Sequence, residues 1–87
     1  MEAGVNYDSK NIGKCGRYKT RAALEDACSS DPNCAGYSTI SVSGYNKGGV
    51  AENGFYPWCL KRSLDKRSEP GNHNFYSKTY LIGGIKS

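Results

Sequence analysis

Four cysteines, at positions 15, 28, 34 and 59, constrain this chain more than any other feature. Zinc sites bring cysteine or histidine ligands in as close pairs, and no such pair is present; His73 is the single histidine. A redox Cys-x-x-Cys is absent as well. An even cysteine count in a short, polar, glycine-rich chain is the mark of a disulfide framework. Four cysteines allow three pairings. Cys28 closes a helical stretch and Cys34 follows it across Asp31-Pro32, a turn that brings their Cβ atoms within bonding range. That pairs Cys28 with Cys34 and leaves Cys15 for Cys59. In the loop-entropy account the longer link stabilises by about 4 kcal/mol and the shorter by about 2 kcal/mol. With 87 residues the chain is a single domain, its core running over about 15–82. So small a core supplies only a few kcal/mol, and cross-links of this size matter to it. The expected setting is extracellular or secreted.

One helix is expected, over TRAALEDAC. Thr20 is placed to cap it, and Ala23, Leu24, Ala27 and Cys28 fall on one face. Proline in SSDPN stops it. Strands are expected in AGVNY (3–7), CAGYSTISV (34–42), FYPWCLK (55–61) and FYSKTYLI (75–82), with Pro57 marking an edge or a bulge. DSKNIGKCGRYK, the glycine-rich 43–54 stretch and the polar 62–74 stretch read as connections. Short links between neighbouring strands favour an antiparallel packing. The fold class is therefore α+β: a small antiparallel sheet cradling one helix, stapled by disulfides.

The stretches AALEDACSSDPNCAGYSTI, YPWCLKRS and HNFYSK together resemble the PAN/Apple domain family. In that family a helix carries a cysteine, a short turn leads into a strand, and a later Cys-Leu-Lys strand carries another. The resemblance covers about residues 15–80 and implies a curved antiparallel sheet around one helix, in a module that binds proteins or carbohydrates. Family members commonly carry two helix cysteines one turn apart; here the earlier position is Leu24, and Cys15 stands in for the missing partner of Cys59. The chain thus looks like a short, four-cysteine variant.

Catalysis finds little support. There is no Ser-His-Asp or Cys-His arrangement, Glu25, Asp26 and Glu52 are isolated acids, and GYNKGG lacks the spacing of a phosphate loop. No enzyme activity, cofactor or metal is expected. Nor is a membrane span, since no apolar run is long enough. MEAGVNYDSK has no apolar signal region, so Met1 is expected to be an added start, or the domain a piece of a longer precursor.

Binding is the better expectation. The net charge of +4 favours anionic partners, with cations concentrated at Lys14, Arg17, Lys19 and Arg21 and again at Lys61, Arg62, Lys66 and Arg67. The second group, with His73, suits the sulfates or carboxylates of an acidic polysaccharide or protein. Tyr45, Asn46 and Lys47, with Glu52 and Asn53 in the same loop, suit stacking on a sugar ring and bonding to its hydroxyls. Both stretches also read as plain solvated loops. Trp58 is either packed against a disulfide or exposed beside Tyr56 as a binding platform. The expected function is a non-catalytic extracellular recognition module for carbohydrate or protein, alone or within a larger assembly. The alternative is a structural protein whose seven tyrosines make contacts between copies or with a matrix. A small secreted effector or inhibitor ranks third, and nucleic acid is not an expected partner, because no motif for it appears.

Overall fold

The computed structural model describes residues 1–43 and 49–78. Among these residues the elements follow in the order β1 (Glu2–Ala3), β2 (Asn6–Tyr7), β3 (Asn11–Ile12), α1 (Arg21–Ser30), β4 (Gly36–Ser41), β5 (Phe55–Lys61), β6 (Arg67–Ser68) and β7 (His73–Ser77). Five of them form an antiparallel sheet in the order β1-β7-β4-β5-β3, and β2 pairs with β6 in a separate ribbon. The α+β class, a helix that ends just past Cys28 and both disulfides are as the sequence implies: Cys15 is bonded to Cys59 and Cys28 to Cys34.

The helix begins where the cap is. Thr20 is extended, and its Oγ1 accepts from the Ala23 amide, relieving one of the free donors of the first turn. The helix ends at Ser30, and the chain reverses through Asp31-Pro32-Asn33. The Cys34 amide donates to the Asp31 carbonyl at 3.0 Å and the Asn33 amide to Asp31 Oδ1 at 2.8 Å. This turn brings the Cys28 and Cys34 Cα atoms to 5.2 Å. Leu24 and Cys28 point into the core, Ala27 is half-buried, and Ala23 is exposed, so the buried stripe is narrower than the sequence pattern suggests.

Directly paired residues share a face of the sheet. Tyr37 lies between Leu60 and Tyr76, and Leu60 opposes Ile12; this row meets Leu24, Cys28 and Cys34 of the helix side. Tyr37 and Tyr76 stack with ring centroids 4.8 Å apart. On the other face Ser38 lies between Phe75 and Cys59, and Phe75 packs with Val5 and Tyr7 of the small ribbon. The ribbon thus covers the face the helix leaves open. Gly36 is required where the layers meet: a Cβ there would stand 2.5 Å from Phe75 Cζ and 2.6 Å from the Tyr76 carbonyl oxygen.

Several elements differ from the sequence expectation. AGVNY is two strands rather than one, one on the sheet and one on the ribbon. Residues 11–12 and 67–68, expected as connections, pair as β3 and β6. β7 begins at His73, ahead of the expected start; the expected continuation over 79–82 lies outside the described residues. The register slips opposite Ser38 and Thr39, which face Cys59 and Pro57 and leave Trp58 as the extra residue of a bulge. Pro57 therefore sits at the bulge, where its missing N–H breaks no regular ladder. In the 43–54 stretch, Asn53 and Gly54 both have positive φ (53° and 82°) between Glu52 and Phe55, which bridge to each other. This is the pattern of a tight type I′ hairpin turn.

One arginine joins helix, sheet and loop. Arg21 donates from Nη1 to the Tyr37 hydroxyl at 2.9 Å, pairs with Glu25 at 3.4 Å and with Glu52 at 2.5 Å, and lies over the Tyr76 ring. The Tyr37 hydroxyl in turn donates to Glu25 Oε2. Burial pushes the Tyr37 phenol well above its ordinary pKa of 10.0. Thr20→Ala should cost about 1 kcal/mol in urea unfolding by loss of the cap. Tyr37→Phe should cost about 1–2 kcal/mol, because Arg21 and Glu25 lose a buried partner.

Candidate functional site

β3 runs antiparallel to β5, with Asn11 opposite Lys61 and Ile12 opposite Leu60. The chain leading into β3 therefore passes the chain leaving β5. The Arg62 amide donates to the Lys10 carbonyl at 3.0 Å, the Asp8 amide to the Lys66 carbonyl at 3.1 Å, and the Ser9 hydroxyl to the Ser63 carbonyl at 2.7 Å. Between these segments lies an open cleft of about 320 Å³, lined by Asp8, Ser9, Lys10, Arg62, Ser63, Asp65 and Lys66.

The cleft brings three cations and two carboxylates onto a frame of fixed backbone. Lys10, Arg62 and Lys66 are exposed, and none forms an ion pair among the described residues. Asp65 is partly used, since its Oδ2 accepts from the Ser63 hydroxyl at 2.8 Å. Lys66 has φ 56°, a left-handed conformation uncommon for a side-chain-bearing residue. Such an arrangement holds cationic heads at the rim of a concave surface, where an anionic group can be met by charge-assisted hydrogen bonds.

The cation cluster read from sequence divides in three. Arg62 and Lys66 line the cleft. Lys61 lies beneath it, only 5% exposed; its Nζ donates to Asn11 Oδ1 at 2.6 Å and to the Ser9 carbonyl at 3.4 Å. Burial lowers its pKa from the ordinary 10.5, and Asp8 partly offsets that. Lys61 thus braces the cleft from below. Arg67 turns away, pairing with Glu69 at 2.7 Å and Glu2 at 3.3 Å, and these bonds raise its pKa. Glu2 also accepts from the Tyr7 hydroxyl at 2.9 Å, which makes Arg67 part of the ribbon's attachment.

The remaining residues lie elsewhere. Tyr45, Asn46 and Lys47 fall outside the described residues. The end of their loop is tied down: the Val50 amide donates to the Lys19 carbonyl at 2.7 Å, and Glu52 pairs with Arg21. Tyr56 and His73 flank Ile40 in one row across β5, β4 and β7. Trp58 is half-buried in the bulge, its carbonyl accepting from the Gly16 amide at 2.8 Å. Asp8, Ser9, Lys10, Ser63 and Asp65 were not legible as site residues. Lys10 and Arg62 are 52 positions apart, and it is the β3–β5 pairing, continued by the Arg62–Lys10 hydrogen bond, that joins them. Among the described residues no group of three His, Cys, Asp or Glu side chains is placed to hold a metal, and no helix is long and apolar enough to cross a membrane.

The molecule is thus a small, disulfide-stapled α+β domain with a cation-rimmed cleft at one sheet edge. Two disulfides in a domain of this size fit an extracellular environment. No protein-family model, curated protein or solved structure matches this chain.

His73 gives a pH prediction. Its Nδ1 lies 2.9 Å from Asn72 Oδ1. Burial, with a further push from Lys61 and a partial offset from Asp8, lowers its pKa from 6.5. The unfolded chain takes up this proton at higher pH than the folded one. The stability contributed by neutral His73 is therefore complete above about pH 6.5 and is lost as pH falls toward the folded pKa. Urea midpoints at about pH 8 and about pH 5 should differ less for His73→Gln than for the unaltered chain. Equal differences would contradict this assignment.

Proposed function

We propose that this chain is a non-catalytic extracellular recognition module that binds acidic groups, the carboxylates or sulfates of a glycan or an acidic protein patch, at the Lys10–Arg62–Lys66 cleft. The observation that carries the reading is the rim itself: three exposed cations without ion-pair partners among the described residues, set around one concave surface. Lys61 supports the rim by holding the Ser9 carbonyl, so the site is braced before a ligand arrives, which reduces the ordering cost of binding. The disulfides support a secreted location. The resemblance to PAN/Apple domains supports a recognition role for carbohydrate or protein and adds nothing about which one.

The tyrosine-assembly alternative gains no specific support. Of the five described tyrosines, Tyr7 and Tyr37 are buried and Tyr18, Tyr56 and Tyr76 are half-buried. Tyr76 stacks on Tyr37, and Tyr18 lies under Arg17.

A panel of immobilised acidic and neutral glycans, with acidic and neutral peptides as a second panel, tests the proposal on the oxidised chain. Acidic members of one panel should be retained and neutral members not. Lys10→Gln with Arg62→Gln should weaken retention about tenfold, or ~1.4 kcal/mol. Equal binding of neutral and acidic members, or an unaffected double variant, would refute it.

A further inference from the structure

The charges are not distributed evenly. Of the eight carboxylate side chains in the sequence, four are consumed by two arginines: Glu25 and Glu52 pair with Arg21, and Glu2 and Glu69 with Arg67. Those arginines are structural. Of the other cations, Lys61 and Lys78 donate to Asn11 Oδ1 and to the Asp31 carbonyl, and six lie on two segments at one border of the sheet. Residues 8–19 and 62–66 carry Lys10, Lys14, Arg17, Lys19, Arg62 and Lys66, all exposed, against Asp8 and Asp65.

This border is continuous. β3 is the outermost strand of its side, and no strand pairs with its free edge among the described residues. Beyond Ile12 the chain stays alongside β5: Cys15 and Cys59 have Cα atoms 4.5 Å apart, and the Gly16 amide donates to the Trp58 carbonyl. It then meets the Val50 amide through the Lys19 carbonyl at 2.7 Å. The four cations from Lys10 to Lys19 thus ride on one anchored segment. At ~3.3 Å per residue the segment would reach about 30 Å if it were straight; Gly13 and Gly16, with φ of 70° and 78°, turn it, so its cations span less than that.

We propose that the ligand is a linear anionic polysaccharide that lies along this edge, entering at the cleft and extending past Lys14 and Arg17 to Lys19. The inference rests on the reading of the cleft as an anion site and extends it. A single acidic group needs only the cleft; a row of cations along a sheet border matches charges repeated along a chain. Several weak contacts on one strand of ligand act together through effective concentration. A folded acidic protein would have to follow the same narrow line.

Size-graded fragments of dextran sulfate and of oligogalacturonate test this, with neutral dextran and poly-glutamate as controls, on the oxidised full chain. Affinity should rise with fragment length to a plateau reached within about 30 Å, and should fall with added salt. Lys14→Gln with Lys19→Gln should weaken long fragments about tenfold while leaving the shortest ones unchanged. The two fragment series distinguish sulfate from carboxylate as the charge that is read. Binding of short fragments with no gain in length and no loss in that double variant would overturn the edge and leave the cleft. Loss of long-fragment binding in that variant, with none in Lys10→Gln/Arg62→Gln, would leave the edge and overturn the cleft. Retention of poly-glutamate but neither polysaccharide would overturn the ligand class. Unaltered binding with new self-association in the Lys14/Lys19 variant would also overturn the proposal, and would show that these lysines guard an open edge against strand pairing.

Discussion

The Cys15–Cys59 bond fixes the course of a segment that its hydrogen bonds alone would hold weakly. β3 contributes only two paired residues, short for a strand. The bond, with the Gly16–Trp58 contact beside it, keeps residues 11–16 against β5, and hydrogen bonds to 62–66 and to Val50 hold the two ends of the segment. Three features follow from that placement. The cleft forms because 8–10 passes 62–66. The helix starts at a fixed point, because Thr20 follows directly. The four cations of the segment are left exposed beside the edge of the sheet. Cys28–Cys34 acts more locally, closing the turn between helix and β4.

Electrostatics divides the molecule into a bonded part and an available part. Arg21 and Arg67 each gather two carboxylates and each fasten a separate layer: Arg21 the helix to Tyr37 and the Glu52 turn, Arg67 the ribbon to β1 through Glu2. Exposed pairs of this kind add little stability singly. Their consequence for function is that they withdraw negative charge from the rest of the surface. Lys61 belongs to the bonded part as well, because its ammonium is satisfied by Asn11 and Ser9 inside the structure.

Much of the fold was legible in the sequence because it depends on local chemistry. Thr20, the Asp31-Pro32 turn, the cysteine spacing and the strand-forming residues of 34–42 and 55–61 each act over a few residues. What the sequence concealed depends on distant pairing. β3 and β6 are two residues long, too short to show a period. AGVNY looks like one strand, since its division between sheet and ribbon shows only in the assembled layers. The site was legible in half: Arg62 and Lys66 stood out as part of a basic run, but their neighbours in that run, Lys61 and Arg67, have internal partners. Lys10, the cation that completes the rim, comes from the far end of the chain. Burial of Lys61 follows from its place opposite Asn11 and Gly36, which no local pattern reveals.

The most direct test of this account is intact mass before and after reduction and alkylation, followed by peptide mapping without reduction. The account predicts a mass lower by four hydrogens in the native protein and two linked peptides, 15 with 59 and 28 with 34. Free thiols, or Cys15 linked to Cys28 or Cys34, would remove the bond that holds Cys15 beside Cys59 and contradict the account of the edge.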